Sequence, residues 1–192
     1  MAEVLLFHHV QGLTPGIVHF ANVLREAGHT VHTPDLFDGQ AFDTINEGLA
    51  FIDELDFSIV LERGREEAER LNPELVYAGF SLGVIPAQQL AQTRKGARGA
   101  LFFSACVPPA EFGSEWPTQV PLQIHGMDED PFFAGEGDLA AARDLVRATP
   151  SAELFVYSGS AHLFADSSLP SYDAKVSALM TQRVLRFLDS VD

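Results

Sequence analysis

The stretch Leu75-Val76-Tyr77-Ala78-Gly79-Phe80-Ser81-Leu82-Gly83 decides how this chain is read. Leu75–Phe80 is apolar and β-like, and Leu82–Gln92 has helical spacing, so the segment predicts a buried strand turning sharply into a helix. Gly79-Phe80-Ser81-Leu82-Gly83 is a G-x-S-x-G pentapeptide. A nucleophile on such a turn adopts a strained backbone, and the flanking glycines let neighbouring elements approach without a Cβ clash. Ser81 then projects its hydroxyl from the sheet edge at a helix N-terminus, where backbone N–H groups can face a developing oxyanion. Glycine and serine are common residues; the strand–helix context gives the pentapeptide its weight.

Outward from this turn, short apolar runs alternate with longer amphipathic stretches. Val4–Val10, Thr30–Thr33, Leu75–Phe80, Ala100–Ala105, Leu122–His125 and Glu153–Tyr157 read as strands. Ile17–Ala27, Leu82–Gln92, Leu139–Ala148 and Tyr172–Leu188 read as helices, with a helical region over Asp43–Leu71 broken near Gly64. The strand runs are apolar throughout and do not alternate, which is the pattern of strands covered on both faces. Right-handed crossovers then predict an α/β fold: a doubly wound, mostly parallel sheet with helices on both faces. The 192 residues predict one domain over 1–192, without repeat or linker.

Composition excludes several classes of function. With 46% hydrophobic and 20% charged residues the chain is globular and not disordered. Twenty-seven acidic residues against 12 basic ones give a formal net charge of −15, which repels phosphate backbones and anionic lipid heads. Neither a nucleic-acid partner nor a membrane partner is expected. Cys106 is the single cysteine, so there is no disulfide framework. The apolar start Val4–Phe7 follows Glu3, and the first basic residue is Arg25, so no charged targeting region precedes it. The expected location is cytoplasmic. The composition is silent on oligomeric state.

A serine on this kind of turn needs a base and an acid, expected in the order Ser, Asp, His. His162, in Tyr157-Ser158-Gly159-Ser160-Ala161-His162, follows a strand on a small-residue loop suited to a general base. Met127-Asp128-Glu129-Asp130-Pro131 offers the acid. Asp130 is favoured because the following proline stiffens the loop and biases it towards an extended backbone; Asp128 stays open. Cys106 reads as a buried, inert thiol, since no histidine adjoins it. His8-His9 and His29/His32 lack the carboxylate–histidine spacing of a metal site, so neither metal nor cofactor is expected. Arg63 and Arg65 read as part of a solvated, charged helix face.

These motifs together resemble the dienelactone hydrolase family of the α/β-hydrolase superfamily over nearly the whole chain. Phe7-His8-His9-Val10-Gln11-Gly12-Leu13 resembles its first-strand loop, Thr33-Pro34-Asp35-Leu36-Phe37 its Pro-Asp-Leu-Phe signature, Asp130-Pro131-Phe132 its acid loop and Gly159 through Phe164 its histidine loop. The resemblance implies a minimal α/β-hydrolase fold. It also implies a cofactor-free hydrolase acting on a small-molecule ester or lactone. Ser81 is then the nucleophile, His162 the base, Asp130 the acid, and the N–H groups of Val10 and Leu82 the oxyanion hole. A non-catalytic binding fold is the contrasting reading, and a thioesterase or acyltransferase would use the same machinery.

Departures from the family are informative. Its best-known members have a cysteine nucleophile where Ser81 stands, and a loop glutamate where His9 stands. They place an arginine four residues beyond the histidine to hold a substrate carboxylate; Asp166 occupies that position here. The family's strands before the oxyanion loop have no counterpart, and the acid loop is one residue longer between Gly126 and Asp130. Asp166 is therefore expected to repel carboxylated substrates and to favour neutral ones.

Overall fold

The computed structural model describes residues 1–113 and 115–191. Six strands form one sheet: β1 (Glu3–Phe7), β2 (Thr30–His32), β3 (Val76–Phe80), β4 (Gly99–Phe103), β5 (Leu122–Met127) and β6 (Ala152–Tyr157). Helices α1 (Pro15–Glu26), α2 (Ile45–Leu55), α3 (Phe57–Glu69), α4 (Val84–Thr93), α5 (Asp138–Ala148) and α6 (Ala174–Ser190) run between and after them. The spatial order is β2-β1-β3-β4-β5-β6, and every neighbouring pair is parallel. The expected α/β-hydrolase-like architecture is present, with a sheet more uniformly parallel than "mostly" implied.

Non-alternating strand composition has a direct structural cause. In β1, Leu5 and Phe7 pack with Tyr77, Phe102 and Ile124 under α2 to α5, whereas Val4 and Leu6 pack with Ala78, Leu101 and Phe103 under α1 and α6. Both faces are covered, so both sets of side chains are apolar. Each fully buried Leu or Phe stabilises the fold by about 1.5–3 kcal/mol relative to exposure. Among the described residues no helix is long and apolar enough to cross a membrane.

The helical region over 43–71 breaks at a different point from the one expected. Thr44 and Glu47 form a reciprocal capping box at the start of α2. Asp56, at φ 72°, ends α2, and its side chain accepts the Ser58 N–H to start α3. Gly64 lies inside α3, where a Cβ would sit 3.0 Å from Pro86 Cβ of α4. Gly64 therefore permits close helix packing and does not terminate the helix. A short 3₁₀ turn over Pro109–Phe112, outside the expected elements, follows β4.

Strand order reverses between β1 and β3, which lie side by side while their connections leave towards opposite sides of the sheet. In open parallel sheets the crevice beyond the strand C-termini at such a point is where ligands bind. Ser81 follows β3 there, and the loop from His8 to Gly12 follows β1.

Candidate active site

Ser81 has φ 48°, a left-handed conformation that is costly for a residue with a Cβ. The turn is held by close backbone approach on both sides. A Cβ on Gly79 would overlap the Gly83 carbonyl, and one on Gly83 would sit 2.5 Å from the His8 carbonyl oxygen. The two glycines of the pentapeptide thus let β3, the turn and the end of β1 press together. Residues Ser81–Gly83 form a 3₁₀ turn leading directly into α4. The first N–H groups of such a turn have no acceptor within it, and Leu82 supplies one of them.

Ser81, His162 and Asp130 meet, although 81 and 32 residues separate the successive partners. Ser81 Oγ is 2.7 Å from His162 Nε2, and His162 Nδ1 is 2.7 Å from Asp130 Oδ2. Asp130 is fully buried, and its other oxygen accepts the N–H groups of Phe132 and Phe133. Those bonds leave Oδ2 as the acceptor for the imidazole N–H. Ser104, at φ 60°, donates its hydroxyl to the His162 carbonyl at 2.6 Å, tying the histidine loop to the end of β4. Asp128 instead accepts the Gly159 N–H at 2.9 Å on the exposed side of that loop. Such a chain of groups can deprotonate a serine hydroxyl as it attacks a carbonyl.

Two buried histidines hold the loop after β1. His9 Nδ1 accepts the Gln11 N–H, and Nε2 lies 2.8 Å from Asp166 Oδ2. Thr14, the N-cap of α1, donates its hydroxyl to the same oxygen, while Ser168 donates both N–H and O–H to the other. Burial opposes the charge on Asp166, but bonds from His9, Ser168 and Thr14 outweigh it and hold the carboxyl near 2. Asp166 is therefore an ionised, buried anchor. This corrects the expectation that it faces a substrate carboxylate: its partner is the buried His9.

Ser81, His162, Val10 and Leu82 line one cavity of about 310 Å³. Its apolar wall includes Leu49, Phe57, Ile85 and Phe132, and the Phe132 ring lies 4.6 Å from that of His162. Glu136 and Asp138 also line it, and among the described residues no lysine or arginine does. Burial raises the Asp138 carboxyl, one of whose oxygens accepts the Cys106 N–H. Cys106 is itself buried, with its thiol pushed far up by burial and then by Asp138, and it does not line the cavity. A larger surface cavity, about 710 Å³ between the Pro108–Trp116 segment and α5, contains none of the Ser81–His162–Asp130 group.

Among the described residues, no three His, Cys, Asp or Glu side chains gather as metal ligands. Sequence reading missed Glu136, Asp138 and the locking roles of His8 and His9. Leu36 and Asp166, which the two histidines bond, are distant in the chain, and only proximity to the acid loop marked the two carboxylates.

The model of the dienelactone hydrolase family matches residues 1–191. The chain belongs to the dienelactone hydrolase family. This family member is therefore a hydrolase. Among solved structures it is similar to a dienelactone hydrolase-like promiscuous phosphotriesterase from metagenomic libraries. That pair has a TM-score of 0.76 and 18% identity, covering 100% of this chain and 87% of the other. It is also similar to the esterase PE8, with a TM-score of 0.68 and 15% identity over 100% and 93% of the two chains. The thioesterase domain from the curacin biosynthetic pathway follows, with a TM-score of 0.65 and 13% identity over 96% and 90%. At these identities the likeness shows a shared fold. A search of curated proteins finds no match.

Proposed function

We propose that this member of the dienelactone hydrolase family is a serine hydrolase that cleaves small, uncharged carboxylic esters or lactones through an acyl-enzyme. The observation that carries the reading is the continuous hydrogen-bonded line from Ser81 Oγ through the His162 ring to buried Asp130. Ser81 Oγ attacks the carbonyl carbon while its proton passes to His162 Nε2. Asp130 holds the imidazole tautomer and steadies the imidazolium. The N–H groups of Leu82 and Val10 receive the oxyanion. Collapse of the tetrahedral intermediate breaks the ester C–O bond, and the imidazolium protonates the departing alkoxide oxygen. Water, deprotonated by His162, then attacks the acyl-enzyme and releases the acid and free Ser81.

Substrate size and charge follow from the cavity. A space of about 310 Å³ with apolar walls suits a short acyl or lactone ring. Glu136 and Asp138, with no compensating cation among the described lining residues, disfavour a carboxylated substrate. The test is a panel of p-nitrophenyl esters, lactones and thioesters of graded acyl length, assayed with the native protein and with Ser81→Ala. Turnover of short neutral esters that vanishes in Ser81→Ala supports the reading; activity retained by Ser81→Ala rejects it.

A further inference from the structure

We infer that His8, through its Nδ1–H, aims the peptide unit between His9 and Val10 so that the Val10 N–H serves as an oxyanion donor. His8 is thus a positioning residue for the reaction, an inference that rests on the serine-hydrolase reading above.

The geometry starts at the His8 ring, which is completely buried after the end of β1. His8 Nδ1 lies 2.8 Å from the His9 carbonyl oxygen. A carbonyl can only accept, so Nδ1 carries the proton. On the other side of the ring, Nε2 accepts the Leu36 N–H at 3.0 Å, so Nε2 carries none. Both ring nitrogens are committed, which selects one neutral tautomer. Burial agrees with this by pulling the ring down to about 4, leaving it neutral at pH 7.

The His9 carbonyl and the Val10 N–H belong to one trans peptide plane, and their dipoles point in opposite directions. The carbonyl receives a second bond, from the Gly12 N–H at 3.0 Å. Two donors on the oxygen fix the plane and so fix the direction in which the Val10 N–H leaves. They also polarise the unit, since donation to a carbonyl strengthens the N–H of the same amide as a donor. Val10 lines the cavity with Ser81 and Leu82. The His8 backbone carbonyl meanwhile abuts Gly83, the residue after Leu82. The His9–Asp166 bond braces the same loop from its other side.

Two substitutions separate the bonds that His8 makes. His8→Asn places an amide N–H at the δ position and keeps donation to the His9 carbonyl while losing the acceptor for Leu36. His8→Gln reaches Leu36 with its carbonyl and loses the δ donor. His8→Gln should lower kcat by about 10²-fold, the order seen when an oxyanion donor is lost, with KM within about twofold; His8→Asn should keep kcat within about threefold. Inhibition by a boronic acid, which mimics the tetrahedral state, should weaken in step with kcat in His8→Gln only. Equal kcat losses in folded samples of both variants, no loss in either, or the reverse ranking overturn the inference. In the unaltered protein, ¹⁵N NMR at pH 7 should show His8 as the Nδ1–H tautomer; an Nε2–H ring overturns it without any variant. Activity that survives Ser81→Ala rejects the hydrolase reading itself. Loss in Ser81→Ala with equal behaviour of the two His8 variants rejects only the role of His8.

Discussion

His9 Nε2 lies 2.8 Å from Asp166 Oδ2, and both residues are fully buried, joining the loop after β1 to the loop after His162 across 157 positions of sequence. Thr14 and Ser168 bond the same carboxylate, so four donors from three residues close around it. The consequence is that Asp166 acts on the scaffold and not on the charge of a substrate.

Asp166→Ala should therefore destabilise the protein by about 3 kcal/mol, because the His9 and Thr14 donors lose a charged, buried acceptor. Urea unfolding at pH 7 measures this. The preference between neutral and carboxylated esters should stay unchanged. A stable Asp166→Ala protein with altered preference would return Asp166 to the substrate site.

Charge selection should instead reside in Glu136 and Asp138. A neutral ester should exceed its carboxylated analogue in kcat/KM by about 10-fold or more, equivalent to about 1.4 kcal/mol. The double variant Glu136→Gln/Asp138→Asn should narrow the gap, since the amide oxygen of the new side chain still accepts the Cys106 N–H and the local fold is kept. Comparison of the two substrates at low and high salt checks both statements, and a native preference for the anionic ester contradicts them.

Asp130→Asn should lower kcat by about 10⁴-fold, the order found when a triad aspartate no longer sets the histidine tautomer. Asp128→Asn should stay within a few-fold, because its carboxylate holds the Gly159 N–H and not His162. Steady-state kinetics on folded variants decide between them. The opposite ranking would assign the acid to Asp128.

Stability should fall as pH drops below 6.5. Burial pulls His8 down to about 4, and burial followed by Arg183 pulls His125 down to about 3, from an ordinary 6.5. Folded rings stay neutral where unfolded ones bind a proton, so acid favours the unfolded chain. Each ring contributes a slope of about 1.4 kcal/mol per pH unit well below 6.5. Urea unfolding between pH 6 and 4.5 should show this loss, to which His29, also lowered by burial, adds, and His125→Gln should lessen the slope by about 1.4 kcal/mol per pH unit. An unchanged slope in His125→Gln would contradict the assignment.

Much of this architecture is legible from local pattern alone. Unbroken apolar runs mark β1, β3 and β4 because burial on both faces leaves no polar alternation to read. The serine turn is legible for a steric reason, since Gly79 and Gly83 stand where backbones meet. Asp56 is less legible, because it carries out with a positive φ and a side-chain cap what glycine usually does between helices. The histidines show the larger limit. His8 and His9 are adjacent and identical in type, yet one bonds Leu36 and its neighbour's carbonyl while the other bonds Asp166. Only the packed loops distinguish them. Asp128 and Asp130 differ in the same way, by which one the turn after β5 carries inside.

Covalent capture tests the central claim most directly. The native protein should react with a fluorophosphonate probe at one site, and mass spectrometry of the digested adduct should place the label on Ser81. Ser81→Ala should take up none, and Cys106→Ala should be labelled as the native protein is. A native protein that hydrolyses esters without labelling at Ser81, or a Ser81→Ala variant that is still labelled and active, would contradict the account.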